Sequence, residues 1–146
     1  MNNRGFTLIE LLAVVVILGV LIIIAFPKYV KALEKSRASG AVAVLGTLAR
    51  SQSRFRFQTG AFTNDVADLD ISIKDEADNS FATGSSFEDK FFTFEVSDDE
   101  DNPISTATRK GVSGEEQYVL TVNYDEGRII CTPEDHYVCK YIGVNN

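Results

Sequence analysis

From Phe6 to Phe26 (FTLIELLAVVVILGVLIIIAF) the chain is apolar on every side and carries a single charge, Glu10. As a helix this run spans roughly 31 Å, enough to cross the hydrocarbon core of a bilayer. After Pro27 the pattern changes. Lys28 to Gln58 holds no second proline, and Ala41, Val44, Leu45, Leu48 and Phe55 recur at three- and four-residue steps. That is the period of an amphipathic helix with one face turned to a core. Ser51 and Gln52 interrupt this face, Thr47, Arg50 and Arg54 fall on the opposite side, and Phe57 falls off the apolar stripe with no account from the pattern. Gly40 and Gly46 weaken the helix, and Gly60 supplies a stop. The spacing thus predicts one helix from about Phe6 to Thr59, roughly 80 Å long, bent at Pro27.

Beyond Gly60 the pattern shortens. Ala61 to Lys90 predicts no regular element except a turn around Asp65–Leu69, and Asp75 to Ser86 reads as loop. Phe91–Val96 alternates aromatic and polar residues as a strand does. Tyr118–Asn123 is a second strand, and Arg128–Cys131 a third that closes a hairpin over Asp125-Glu126-Gly127. A long helix followed by a small antiparallel sheet is an α+β arrangement, in which the sheet covers the apolar stripe of the helix's second half.

Charge sharpens this picture. The 146 residues carry 14 Lys+Arg against 21 Asp+Glu, and nearly all the acid follows Asp65. A balance of this sign argues against general nucleic-acid binding. Glu10 is the anomaly. An acid near the middle of a membrane helix costs roughly 2.5–3.5 kcal/mol, and such residues are usually paired and functional. The only nearby base is Arg4. The apolar run is longer than the core of a secretory signal, and Ala25-Phe26-Pro27 is not a small-residue cleavage site, so the helix reads as retained.

Gly5-Phe6-Thr7-Leu8-Ile9-Glu10, followed by Leu11-Leu12 and preceded by a short leader with Arg4, resembles the processing and assembly motif of type IV pilins and of the related type II secretion pseudopilins. The resemblance implies a leader of residues 1–5, cut between Gly5 and Phe6 by a prepilin peptidase that also methylates the new amine of Phe6. It implies a half-helix of residues 6–26 that lies in the membrane before assembly and in the filament core afterwards. Residues 27–146 then form an extracytoplasmic globular domain that includes the amphipathic half of the helix. The expected partners are copies of the same chain, the prepilin peptidase, the inner-membrane pilus assembly machinery, and the membrane itself. The expected location is the cytoplasmic membrane as a single-pass precursor, then a pilus, serving adhesion, motility or DNA uptake. A pseudopilin is the alternative, and a membrane-tethered periplasmic binding domain ranks below both. Glu10 becomes an assembly residue that meets the Phe6 amine of a neighbouring subunit, and Ala13, Gly19 and Ala25 are small enough for close helix packing.

With that topology the two cysteines, Cys131 and Cys139, leave the reducing cytoplasm and are expected to form a disulfide. In pilins a similar pair delimits a C-terminal surface loop. Two reduced thiols are the alternative. A zinc site would have at most three ligands, counting His136, and lacks a paired C-x-x-C. His136 is the only histidine, and is expected to be a solvated loop residue. Gly111-Val112-Ser113-Gly114 lacks the spacing of a nucleophile elbow, so no enzyme activity is expected. The acidic run Asp98–Asp101 lacks the spacing of a calcium loop and reads first as a hydrated turn, although some pseudopilins bind calcium in such a loop. Arg50, Arg54 and Arg56 interleave with Phe55 and Phe57 as nucleic-acid patches do, against the simpler reading of basic residues favouring a helix C-terminus. No cofactor or metal is expected.

Overall fold

The structure, a computed structural model, describes residues 7–74, 81–99, 101–111 and 117–142. Helix α1 (Leu8–Thr59) runs unbroken through Pro27 and is followed by a short 3₁₀ turn at Val66–Asp68. Five strands follow: β1 (Ser86–Glu88), β2 (Phe92–Val96), β3 (Ile104–Arg109), β4 (Val119–Asn123) and β5 (Ile129–Thr132). Helix α2 (Tyr137–Ile142) comes last. The fold is α+β, with one long N-terminal helix and an antiparallel sheet. The chain divides into two units, residues 1–34 and 35–146.

In the first unit α1 is exposed at every position from Leu8 to Leu33. In the second, α1 turns Ala38, Ala41, Leu45, Leu48 and Ala49 inward, each under 8% exposed. They join a core with the inward residues of the sheet. The sheet is a meander, β1-β2-β3-β4-β5, with every neighbour antiparallel. Its register lines up Phe87, Phe94, Ala107, Leu120 and Cys131 in one row across all five strands. All five are buried, so a slip of one residue in any strand would turn its apolar set to solvent. Phe87 and Phe94 stack in this row at 4.8 Å. Burying a side chain of this size contributes roughly 1.5–3 kcal/mol.

The end of α1 is set by Gly60, whose φ of +91° puts it in the left-handed region that favours glycine, and whose N–H donates to the Arg56 carbonyl at 2.8 Å. The polar interruption of the apolar stripe has a structural use. Ser51 and Gln52 are buried. Gln52 Nε2 donates to the Thr63 carbonyl (2.5 Å) and Gln52 Oε1 accepts from the Thr63 amide (3.2 Å), tying the loop after α1 back to the helix. Ser51 bonds Asp70.

Three elements were not anticipated: β1, β3 and α2. Strand β3 (ISTATR) hides because its inward residues are Ser105, Ala107 and Arg109, while Ile104 and the threonines face outward. Its polar inward groups are satisfied: the Ser105 hydroxyl bonds Tyr124 Oη at 2.5 Å, and Arg109 Nη1 donates to the carbonyls of Phe91 and Lys110. Residues 75–80 of the expected loop lie outside the described residues; Lys74 and Phe81 form an isolated bridge, and Ser86 already belongs to β1.

Candidate functional site

The N-terminal turn of α1 is a capping box. Thr7 precedes the first helical residue, and Glu10 is three residues on. The amide and hydroxyl of Thr7 both donate to Glu10 Oε2, at 2.9 and 2.8 Å, and the Glu10 amide donates to Thr7 Oγ1 at 3.4 Å. Two otherwise orphaned amides are satisfied reciprocally, and the carboxylate lies at the positive end of the helix dipole. Glu10 therefore has intramolecular hydrogen-bond partners, which a search for a basic partner alone overlooks. The Thr-x-x-Glu spacing was the signal that would have revealed them. Gly5 and Phe6 lie outside the described residues.

Past this cap, Leu8 to Phe26 presents apolar side chains in every direction, from Leu8 at 87% exposed to Val14 at 49%. A face this large and unbroken needs lipid or other apolar helices around it. The helix is long and apolar enough to cross a membrane. Gly19 has no atom within 4 Å of the place a Cβ would take, so this side of the helix is open to close approach. At Pro27 the helix continues although the ring removes one backbone donor.

A family model described as the prokaryotic N-terminal methylation motif matches residues 1–26. The chain carries a pilin-type N-terminal segment. Over 54 residues it is 47% identical to a type IV major pilin protein PilA of Myxococcus xanthus. That stretch is 37% of this chain and 24% of the relative, so the match spans about a quarter of the relative's length. No solved structure matches the chain.

Outside the pilin-type segment, Cys131 on β5 and Cys139 on α2 are joined by a disulfide, with S–S 1.97 Å and Cα atoms 5.3 Å apart. Both sulfurs are thereby withdrawn from metal ligation. The bridge clamps a six-residue helix to the last strand. His136 is a correction to the sequence reading. It is 6% exposed and not a solvated loop residue. Its ring stacks on Tyr118 at 4.9 Å and packs on Tyr137 at 4.6 Å. Its Nδ1 accepts from the Val138 amide at 3.3 Å, capping α2. The bridge forces this segment back onto β5, and that is why a lone histidine in a polar stretch is buried.

The arginines near the end of α1 are partly spent within the domain. Arg54 forms a two-bond pair with Asp70, at 2.7 and 2.6 Å. The Arg54 guanidinium, aided by the Ser51 hydroxyl, holds the Asp70 carboxyl down at about 2. Arg56 pairs with Asp125 and lies 4.6 Å over the Phe62 ring. Arg50 remains exposed. Phe55 packs against the core, whereas Phe57 is 93% exposed. In the acidic turn, Asp99 Oδ1 accepts from the Asp101 amide at 2.9 Å. No group of three or more metal-ligating residues is gathered among the described residues. Residues 112–116, which include most of the Gly-Val-Ser-Gly stretch, lie outside them.

Proposed function

We propose that the chain is the structural subunit of a type IV pilus-like filament. Residues 1–5 are a leader removed between Gly5 and Phe6 by a prepilin peptidase, and the mature chain begins at a methylated Phe6. Residues 6–26 hold the precursor in the cytoplasmic membrane, with residues 27–146 on the far side. Assembly machinery in that membrane then moves the subunit into the filament.

The observation that carries this reading is a half-helix, apolar and exposed on every side, whose single acid sits at its capped start. The half-helix leaves lipid without loss only if identical helices offer equal apolar burial and close packing, which Ala13, Gly19 and Ala25 permit. The Phe6 amine freed by cleavage is a cation made next to the membrane. On a neighbouring subunit it meets Glu10, and the attraction is stronger at low dielectric than in water. Glu10 and the amine stand at different places on each subunit, so the contact is heterologous and builds an open polymer. The filament serves adhesion, motility or DNA uptake.

The pilin-type segment serves a secretion pseudopilin equally well. The C-terminal disulfide favours the pilus. N-terminal sequencing and intact mass of the protein from its host test the central claim. The expected result is a chain that starts at Phe6 and is one methyl group heavier than the bare sequence. A chain that retains Met1, or one cut after Ala25, overturns it.

A further inference from the structure

Charge is divided unevenly along this chain. Residues 1–59 hold eight Lys and Arg against two acids, and residues 60–146 hold six against nineteen. Part of this contrast is settled inside the domain, by Arg54 with Asp70 and Arg56 with Asp125. Two features remain. On the outward face of α1, Arg50 is exposed and has no carboxylate partner among the described residues; its Nη2 reaches only Thr47 Oγ1, at 3.4 Å. Phe57, two helical turns further on the same face, is 93% exposed. Toward the N-terminus this face is built from Ser36, Ser39, Gly40 and Ala43, all exposed, so nothing bulky keeps an approaching surface away.

At the far end of the β2–β3 hairpin is the complement. Asp98, Asp99 and Asp101 are exposed in its turn and have no cation partner among the described residues. Beside the turn, on the sheet, lies a hollow of about 300 Å³ lined by Ser85, Ser86, Glu95, Val96, Ser97 and Ile104. The hollow is open and mostly polar, larger than the roughly 150 Å³ cavity that takes benzene, and Val96 and Ile104 are its apolar contacts for the edge of a phenyl ring. Arg50 and Phe57 lie roughly 10 Å apart along the helix, and Asp99 follows the hollow's Val96, the last residue of β2, by three residues.

We propose that a second copy of this chain docks here: Phe57 of one subunit enters the hollow at the foot of the β2–β3 turn of the next, and Arg50 meets that subunit's Asp98, Asp99 and Asp101 carboxylates. The inference rests on the filament reading and gives it a contact outside the apolar half-helix. Knob and hollow occupy different surfaces, so the contact is heterologous and leaves one of each free at either end of a polymer. Aromatic and arginine side chains are the usual anchors of such contacts, and opposed charges fix their register.

The test uses filaments sheared from cells that make the full chain. Arg50→Glu and Asp99→Lys should each lower filament yield about tenfold, and their combination should restore it to within about twofold of wild type. Membrane-held precursor and its thermal midpoint should stay unchanged. In filaments of an Arg50→Lys variant, carbodiimide should link position 50 to the 98–101 peptide of another subunit. Wild-type yield from either single reversal, no recovery in the combination, or no such cross-link overturns the contact. Filaments that form normally but lose DNA retention in Phe57→Ala also overturn it, and make this face a nucleic-acid surface. If the wild-type chain forms no filament at all, the filament reading itself has failed, which is a separate result.

Discussion

Thr7 and Glu10 close on one another at the start of α1, with the amide and hydroxyl of Thr7 both held by one oxygen of Glu10 at 2.9 and 2.8 Å. On the proposed filament reading this acid has a second role besides the cap, and the two are separable by mutation. As a cap it needs only an oxygen acceptor. As the partner of a neighbour's amine it needs its charge.

Glu10→Gln keeps an acceptor for Thr7 and removes the charge, whereas Thr7→Ala keeps the charge and removes the cap. Loss of the cap should cost about 0.5–2 kcal/mol, confined to the first turn of the helix. Filament formation should fail in Glu10→Gln and in Glu10→Val while both proteins remain cleaved and membrane-held, and should persist in Thr7→Ala. Electron microscopy together with immunoblots of sheared and membrane fractions reads all three. Normal filaments from Glu10→Gln would refute the pairing role.

The Cys131–Cys139 bridge holds α2 where propensity does not. A six-residue helix is far below the length that is stable alone in water. By the chain-entropy account, closing so short a loop stabilises by about 2–3 kcal/mol. Replacing both cysteines with serine should lower the urea midpoint of the detergent-solubilised full chain accordingly. It should also open the His136–Tyr118 stack to solvent, since the bridge turns that segment back onto β5. The native protein should show no thiol that reacts with maleimide before reduction; two reactive thiols would end the claim.

The long helix, three of the strands and the pilin-type segment were legible in sequence because each rests on a period that repeats or on a contiguous motif. Strand β3 and His136 are hidden in the sequence by one physical cause. Ser105, Ala107 and Arg109 face inward on β3, so the alternation that announces a strand is reversed there, and burial is satisfied by hydrogen bonds made to residues distant in sequence. His136 was misread for the same reason: its surroundings are set by Tyr118, eighteen positions away, and by a cross-link. The Thr7–Glu10 cap, by contrast, is local, and its Thr-x-x-Glu spacing is legible in the sequence.

Gln52 shows how much a polar residue in an apolar stripe matters. It is wholly buried and satisfies both backbone groups of Thr63. Gln52→Leu keeps the helix and much of the volume, yet leaves the buried N–H and C=O of Thr63 without partners. At about 1–3 kcal/mol for each unsatisfied group, and with some relief from relaxation, the loss should be about 2–4 kcal/mol. Urea unfolding followed by far-UV circular dichroism measures it, and a change under about 0.5 kcal/mol would show that the Thr63 loop is not held by this residue.

Asp70 couples the same region to pH. Hydrogen bonds from Arg54, and then from Ser51, hold its carboxyl at about 2, below the ordinary 3.8. A group whose folded value is depressed binds fewer protons in the native state, so its contribution is fully present above the ordinary value and is lost as pH falls toward the depressed one. Asp65, held low by the amides of Ala67 and Gly84, and Glu88, held low by Lys110, act in the same direction. The thermal midpoint of the full chain should therefore fall between about pH 4 and pH 2. In Asp70→Asn the midpoint should begin lower at neutral pH and decline less across that window, because the pair that titrates is gone. Both side chains of the Arg54–Asp70 pair are largely exposed, so the effect should also shrink in high salt. Parallel curves for wild type and Asp70→Asn from pH 7 to pH 2 would show that the Arg54–Asp70 pair contributes nothing to folding.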